Sequence, residues 1–194
     1  MKPDGRVLDG AMRSRMVVGH ATKAALTPCI EAHYLHRWPA VVPCRLALWL
    51  DGVVVGACVF AFPPRETVKR YKGMVWELAR LWLAPECPRN SETFFVARAL
   101  RHVRRTHPGL VGVVSYADPS VGHTGLIYRA GNWRSDGRTD ADRRTPRFDY
   151  VVAGKRYSRR AHCPAGVITR VPRTSKYRFF YPLVRDLVNG VLRP

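Results

Sequence analysis

A short apolar run that leads into a polar turn and then a helix is the feature that most constrains the fold of this chain. Residues 110–114 are Leu, Val or Gly, which is typical of a buried strand. The chain then turns at Asp118-Pro119 and continues into a predicted helix over residues 120–131, which carries Tyr128. A buried strand followed by a helix predicts a sheet with helices packed on it.

The rest of the chain supplies further elements in a definite order. Asp51-Gly52 separates two apolar runs, and this pair favours the positive φ angles of a tight hairpin turn. Asn90 or Ser91 can cap the helix that follows. The predicted elements are a strand at 16–18, a helix over 22–34, strands over 44–50, 53–62 and 74–83, a helix over 91–106, and strands over 110–115 and 148–152. This order predicts an α+β fold with a mixed, mostly antiparallel central sheet and helices on both faces.

Three segments together resemble a known superfamily. They are Glu31–Pro39 (EAHYLHRWP), Trp76–Leu83 (WELARLWL), and residues 115–133, which include GHTGLIYRAGNW. The strand, turn and tyrosine-bearing helix resemble the second half of the GNAT acyltransferase fold. The amino-acid sequence of the three segments resembles the phage Mom family of DNA-modification proteins. The resemblance extends over about residues 28–153 and also 174–180.

This resemblance implies a transferase that converts adenine in DNA to N6-carbamoylmethyl-adenine and so protects phage DNA from host restriction. It also implies three catalytic residues, with His33 or Asp118 as the base and Tyr128 as the acid that protonates the leaving group. Each has a simpler interpretation. His33 can be a surface or helix-end histidine, Asp118 a turn residue before a proline, and Tyr128 a helix residue packed on the sheet.

The loop before the 91–106 helix bears on the donor of the transferred group. In the GNAT superfamily a glycine-containing loop at this place binds the pyrophosphate of coenzyme A through backbone N–H groups. Residues 85–93 contain no glycine, and Pro85 and Pro88 have no N–H group. The donor therefore stays open between glycyl-tRNA and an acyl-coenzyme A. The predicted substrate- and donor-binding residues are Tyr34, Arg80, Asn90, Ser91, Ser115 and His123.

The alternation of side chains within residues 74–83 separates two charged candidates. Glu77 and Arg80 fall on opposite faces of a regular strand, so only one of them can face a given cleft. Arg80 is predicted to bind an anionic group.

One reaction sequence connects acyl transfer to the modified base. A glycyl group is first transferred to the exocyclic amine of adenine. The free glycyl amine then attacks ring carbon 6, and the original nitrogen leaves as the carboxamide. The alternative function is an acyl-coenzyme A-dependent N-acetyltransferase for a small-molecule or protein amine, and a non-catalytic DNA-binding protein is the third hypothesis.

The charge of the chain indicates a nucleic-acid partner. Its 194 residues contain 33 Lys or Arg and 14 Asp or Glu, for a net charge of +19. A GC-rich genome explains arginine over lysine but does not explain the shortage of acids. Residues 150–185 contain no acid and several aromatic rings, which is typical of a nucleic-acid-binding surface. The predicted partners are double-stranded DNA and tRNA, and the predicted contact residues are Arg156, Arg159, Arg160, Arg173, Lys176 and Arg178.

Metal and disulfide chemistry have little support in the sequence. His33 and Asp118 are candidate ligands for iron, but two ligands do not define a site. The five cysteines are odd in number and include no C-x-x-C pair, which argues against a disulfide framework or a structural zinc site. Cys58 is predicted to be a core residue.

The domain organisation is predicted to be simple. Residues 1–14 are polar and are expected to form a flexible arm, and residues 15–194 a single catalytic domain with basic C-terminal strands over about 150–185. No apolar stretch reaches the roughly 18 residues that span a membrane, and the N-terminus lacks a signal-peptide core. A cytoplasmic protein without membrane contact is therefore expected, and the sequence does not indicate its oligomeric state.

Overall fold

A computed structural model describes residues 7–141, 144–145, 147–158, 165–184, 187–188 and 191–192. The helices are α1 (Gly10–Arg15), α2 (Lys23–Ala32), α3 (Arg65–Tyr71), α4 (Ser91–Thr106) and α5 (Leu126–Ala130), with a 3₁₀ helix at Pro119–Val121. The strands are β1 (Met16–His20), β2 (Cys44–Leu50), β3 (Val53–Ala61), β4 (Val75–Leu83), β5 (Gly112–Ala117), β6 (Arg134–Arg138), β7 (Phe148–Val152), β8 (Lys155–Ser158), β9 (Thr169–Pro172), β10 (Tyr177–Pro182), β11 (Leu187–Val188) and β12 (Val191–Leu192). No helix in these ranges is long and apolar enough to cross a lipid bilayer.

A seven-stranded sheet with the order β1-β2-β3-β4-β5-β10-β6 forms the centre of the molecule. Its neighbouring strands are antiparallel except for β4 and β5, which run parallel. Helices α4 and α5 pack on one face, and α2 and α3 pack on the other. The predicted α+β fold, with a mixed and mostly antiparallel sheet between helices, is confirmed. Strands β7, β8 and β9 form a separate small sheet, and β11 pairs with β12.

Strand β10 contributes side chains to both layers of the core. Phe179 packs under α4 and α5 in the same cluster as Phe60. The next residue, Phe180, points to the opposite face, where its ring stacks on Tyr71 of α3 with the centroids 4.2 Å apart. Both phenylalanines are fully buried. Because each buried aromatic ring stabilises the fold by roughly 2 kcal/mol, β10 is held firmly between β5 and β6.

The hairpin of β2 and β3 confirms the prediction made from Asp51-Gly52. The two residues have φ angles of 50° and 82°, which are the two positive values of the tight turn that matches strand twist. The Asp51 carboxylate also accepts hydrogen bonds from Arg15 at the end of α1, including one of 3.0 Å from Nε. Cys58 of β3 is fully buried in the core, as predicted.

The N-terminal segment differs from the flexible arm expected over residues 1–14. Leu8 is only 3% exposed and belongs to the main core cluster. Its N–H donates to the carbonyl of Arg89 at 3.0 Å, and the Asp9 carboxylate caps α1 by accepting from the N–H of Met12 at 2.7 Å. The polar composition concealed this because one buried leucine is enough to fix the segment. Residues 1–6 lie outside the described residues.

Strand β4 contains a β-bulge that the alternation pattern did not predict. Leu78 is opposite Phe60 and Arg80 is opposite Val59, so Ala79 is an extra residue without its own partner. Leu78 therefore lies on the α4 face, whereas Trp82, an even number of residues further on, packs on the α2 face. The prediction that Glu77 and Arg80 lie on opposite faces is wrong, since the bulge returns Arg80 to the face of Glu77.

The predicted helix over residues 120–131 is two shorter elements. The 3₁₀ helix ends at Gly122, and α5 begins after Gly125. These glycines have φ angles of 77° and 79°, which break the helical conformation at both places. Helix α3 and strand β6 were not predicted. The segment between the two glycines lies over the end of β5 and forms part of the candidate site.

Candidate active site

A cleft opens where β4 and β5 part from each other. Their parallel pairing ends at Glu77 and Val114, although both strands continue beyond it. The cleft has a volume of about 470 Å³. One wall is β4 over residues 78–83, and the other is the end of β5 with residues 122–128. A cleft of this size accommodates a small ligand such as a nucleobase.

Tyr128 brings a phenolic hydroxyl to this cleft from α5. The hydroxyl lies 2.7 Å from Oγ of Ser115 on β5, and Oγ lies 2.9 Å from the carbonyl oxygen of Leu78 on β4. A serine hydroxyl has one hydrogen, which Ser115 can give either to the Leu78 carbonyl or to the Tyr128 oxygen; in the second arrangement the phenolic hydrogen is left free for another acceptor. Burial is the main cause that raises the pKa of Tyr128 to about 12. Tyr128 therefore stays protonated at neutral pH, with its ring fixed between Phe179 and Trp133.

His33 enters the cleft from the end of α2 and is 6% exposed. Its Nδ1 atom accepts a hydrogen bond from the N–H of Leu35 at 3.1 Å, so the neutral ring carries its proton on Nε2. Burial, followed by the charges of Arg80, His123 and His36, lowers the pKa of His33 to about 4. His33 is therefore a neutral hydrogen-bond donor at pH 7, which is a different role from the predicted base.

Aromatic rings form the rest of the wall near His33. The ring of Tyr34 lies 4.4 Å from His33 and 5.0 Å from His123, measured between centroids. Trp82 of β4 also lines the cleft. A planar base placed here can stack on these rings. The structure thus brings together His33, Tyr34, His123 and Tyr128 from the predicted site.

Asp118 lies at the end of β5 and is occupied by local hydrogen bonds. Its carboxylate accepts from the N–H and the hydroxyl of Ser120, at 3.0 and 2.6 Å, and is 2.9 Å from Nζ of Lys176. Burial raises the pKa of Asp118, but the bonds from Ser120 and Lys176 outweigh it and leave the pKa below its usual value. Asp118 is ionised and caps the 3₁₀ helix, which matches the simpler interpretation of this residue.

Glu77 is a functional candidate that sequence reasoning missed. It is the last residue of β4 that pairs with β5 before the cleft opens. Burial raises its pKa in spite of the opposing charges of Arg80 and Lys176. Its charge in turn raises the pKa of Tyr34 and of Tyr128, so it lies within electrostatic range of both. The sequence showed Glu77 within a predicted strand, but simple alternation placed it on the face opposite Arg80, because the bulge at Ala79 was not predicted.

The remaining predicted donor-binding residues lie around the cleft rather than in its lining. Arg80 is buried, and its guanidinium donates to the carbonyls of Arg37 and Ala79 at 2.9 and 2.6 Å. Ser91 is fully buried, and Asn90 precedes α4 with a φ angle of 72° and no side-chain hydrogen bond to the helix. The loop they belong to is bonded to Leu8 through Arg89.

Three of the predicted nucleic-acid contacts are ion-paired within the protein. Lys176 pairs with Asp118, and Nε of Arg173 and of Arg178 lies 3.0 Å from Asp149 and Asp136, respectively. Arg159 and Arg160 lie outside the described residues. Arg156 lies on β8, and its side chain is also outside them.

Metal-ligating side chains gather at a place away from the cleft. Within the described part of the chain, the one group of three whose ligand atoms lie within 4.8 Å of one another is His20, Cys44 and His102. The Nε2 atoms of the two histidines are 2.9 Å apart. His33 and Asp118, the predicted iron ligands, belong to no such group among these residues.

Comparison with known proteins yields one matching family and one curated relative. A model of the Mom protein family matches residues 15–190. The protein "Methylcarbamoylase mom" of Escherichia phage Mu is 40% identical over 57 residues, which are 29% of this chain. The match covers 24% of that relative's length.

Solved acetyltransferase structures share the fold. A Bacillus subtilis acetyltransferase in complex with CoA has a TM-score of 0.54 at 11% identity, covering 88% of this chain and 99% of the other. A putative acetyltransferase of Salmonella typhimurium with acetyl-CoA has a TM-score of 0.55 at 13% identity, covering 90% and 98%. The ribosomal-protein-S18-alanine N-acetyltransferase of Escherichia coli has a TM-score of 0.54 at 8% identity, covering 89% and 99%. The GNAT fold is thereby confirmed.

Proposed function

Because the chain belongs to the Mom protein family, we propose that it is a transferase that converts adenine in DNA to N6-carbamoylmethyl-adenine. The observation that carries the proposal is the family match, since residues 15–190 include every element of the cleft. The phage Mu relative supports the chemistry by its name. A modification of this kind alters the groove edge that restriction enzymes read, and so protects the DNA that carries it.

The cleft receives the adenine after it has left the duplex. An enzyme that acts on the exocyclic amine of a paired base must flip that base out of the stack. The rings of Tyr34, His123 and Trp82 supply stacking surfaces for the flipped base. His33, a neutral donor, offers its Nε2 proton to a ring nitrogen of the base.

Two groups move protons during the transfer. Glu77 lies beside Leu78 of the cleft wall and not in the lining, so it acts as the base through a water that takes the proton from the adenine amine. Its pKa is raised, whereas that of Asp118 is lowered, which makes it the stronger base of the two. Tyr128 gives its proton to the leaving group of the donor, while the Ser115 hydroxyl donates to the phenolic oxygen and holds it in place. Asp118 keeps the loop over the cleft in position through Ser120 and Lys176.

The transferred group is a glycyl unit in this proposal. The adenine amine attacks the glycyl carbonyl, an N–C bond forms, and the donor leaves with a proton. The glycyl amine then attacks ring carbon 6, and the bond between that carbon and the original nitrogen breaks. The original nitrogen takes up the proton that the glycyl amine loses, and so becomes the carboxamide of N6-carbamoylmethyl-adenine. We favour glycyl-tRNA as the donor because the loop before α4 contains no glycine that would bind a pyrophosphate. This loop is also engaged within the protein, since Ser91 is buried and the N–H of Leu8 donates to the carbonyl of Arg89.

The test is to express the chain with a plasmid, digest the plasmid to nucleosides and measure their masses. We expect deoxyadenosine with one carbamoylmethyl group in place of a hydrogen. Cells fed with nitrogen-labelled glycine should give a labelled amine at carbon 6 and an unlabelled carboxamide. Unmodified deoxyadenosine in cells that contain soluble protein would contradict the proposal.

The assignment of the base has its own matched pair of variants. Glu77→Gln removes the base and should lower modification by about 100-fold or more, while Asp118→Asn keeps most of the capping geometry and should lower it less. DNA binding should survive both changes. If Asp118→Asn is the more damaging of the two, the base role returns to Asp118.

The second candidate is an acyl-coenzyme A-dependent N-acetyltransferase that acts on a small-molecule or protein amine. The observation that favours it is the fold shared with acetyltransferases whose structures contain CoA or acetyl-CoA. Calorimetry with acetyl-CoA separates the two candidates. Tight binding, with acetylation of an added amine and no effect of DNA, would favour this second function.

A further inference from the structure

A second concave surface lies at the β1 edge of the sheet, between α4 and the α1–β1 segment. This groove has a volume of about 450 Å³ and is distinct from the cleft between β4 and β5. Its floor is apolar, formed by Met16, Val18 and Phe94. Nothing in the proposed chemistry uses it.

The rim of the groove carries positive charge only. Four exposed arginines line it: Arg13 at the end of α1, and Arg98, Arg101 and Arg105 on α4. No Asp or Glu is among the described residues that line it. A concave surface with one sign of charge attracts a polyanion, and the guanidinium group binds phosphate oxygens in a forked geometry.

The spacing of the α4 arginines fits a chain of phosphates better than a single anion. Arg98, Arg101 and Arg105 recur on one side of the helix, and the rise of about 1.5 Å per residue spreads them over about 10 Å. One DNA strand places a phosphate every 3.4 Å or so along the duplex axis, so this distance corresponds to about three phosphates. Arg98 is also held over the ring of Phe94, with 5.4 Å from Cζ to the ring centroid.

The arginines of the groove differ from the predicted C-terminal contact residues, which form ion pairs within the protein. Arg173, Lys176 and Arg178 each pair with an aspartate of the protein itself. A cation that already has an acidic partner gains less from a phosphate, because the internal pair must be broken. The groove arginines have no acidic neighbour among the described residues of its lining.

We infer that this groove binds the sugar-phosphate backbone of the DNA duplex beside the target adenine. The inference rests on the proposed function only in taking DNA as the substrate. Helix α4 connects the two surfaces, since Glu92 in its first turn lines the cleft and Phe94 and Arg98 line the groove. Contacts to the backbone position the duplex without reading its sequence, so the groove supplies affinity rather than choice of target.

The test measures DNA binding as a function of salt for a groove variant and a control of equal charge. The groove variant is Arg98→Gln, Arg101→Gln and Arg105→Gln, three exposed positions where glutamine retains helix propensity. The control is Arg65→Gln, Lys69→Gln and Lys72→Gln, exposed residues at α3 on the opposite face of the sheet. Fluorescence anisotropy with a labelled duplex gives the affinities, and thermal unfolding verifies that both variants are folded.

We expect the slope of log affinity against log salt to become shallower by about 2.7 in the groove variant, because each of the three phosphates that is no longer neutralised reduces the slope by about 0.9. The control should change the slope by less than half of this. Equal slopes for the two variants would overturn the inference. Unlabelled tRNA in the same assay tests the other source of phosphates, and a weakening confined to tRNA would overturn the inference as well.

The failure of this inference is distinguishable from failure of the proposed function. Wild-type protein that modifies deoxyadenosine, with a groove variant that binds DNA as the control does, overturns the groove alone. A groove variant with the expected decrease in DNA affinity, and no modified nucleoside from wild type, overturns the chemistry alone.

Discussion

Among single residues, Tyr128 is positioned by three neighbours: Ser115 bonds to its hydroxyl, and Phe179 and Trp133 pack on its ring. Tyr128→Phe removes the proton donor but keeps the ring between Phe179 and Trp133. We expect DNA modification to fall by about 100-fold or more, with a decrease of about 1 kcal/mol in the free energy of unfolding for the missing hydrogen bond. Nucleoside mass spectrometry and chemical unfolding measure the two effects. Tyr181→Phe, which packs beside Trp133 outside the cleft, should retain activity.

His33 makes folding depend on pH in a definite direction. Its folded pKa of about 4 lies below the value of about 6.5 in an unfolded chain, chiefly because of burial. The stability is therefore complete above pH 6.5 or so and decreases as the pH falls toward 4, since only the unfolded chain takes up the proton.

We expect the urea midpoint of the wild type to decrease more between pH 7 and pH 5 than that of His33→Gln, whose side chain does not titrate. Equal decreases would show that His33 is freely protonated in the folded protein, and would remove the argument that it is a neutral donor.

Among the elements, the loop between β5 and α5 depends on two glycines, Gly122 and Gly125, whose surroundings differ. A Cβ atom at Gly125 would overlap the ring of Phe179, whereas one at Gly122 would have no atom within 4 Å. Both positions have a positive φ angle, so an alanine at either costs about 1 kcal/mol in backbone strain.

We therefore expect Gly122→Ala to lower the free energy of unfolding by about 1 kcal/mol, and Gly125→Ala to lower it by about 3 kcal/mol because overlap is added to strain. Gly125→Ala should also abolish modification, since Tyr128 follows within the same helix. Similar decreases for the two variants in chemical unfolding would contradict the packing of Phe179 on this loop.

Elements with a local signal were predictable from the sequence, and those that depend on distant pairing were not. Asp51-Gly52 predicted the hairpin, and the apolar periodicity after Asn90 predicted α4. Nothing within residues 76–83 marks Ala79 as an extra residue, because alternation assumes unbroken pairing with β3. The same limit applies to the site. The family resemblance pointed to His33 and Tyr128, which line the cleft. Glu77 was set aside because the bulge that places it on the same face as Arg80 was not predicted.

The fold of the whole molecule includes its N-terminal segment. Leu8 packs in the main core and Val7, beside it, is 57% exposed. We expect Leu8→Ala to lower the free energy of unfolding by about 2 kcal/mol or more, and Val7→Ala to change it by about 0.5 kcal/mol or less. Chemical unfolding of the two variants tests this. Two equally small effects would restore the flexible arm that the polar composition suggested.

Strand β10 has a consequence for the synthesis of the protein. It lies between β5 and β6 in space but follows both in the chain, and its Phe179 packs on the ring of Tyr128. The emerging chain therefore exposes one side of β5 to solvent until residues 177–182 have left the ribosome. During translation β6 and one edge of β5 are unpaired and open to other chains, and Tyr128 gains its packing against Phe179 only when this late strand inserts.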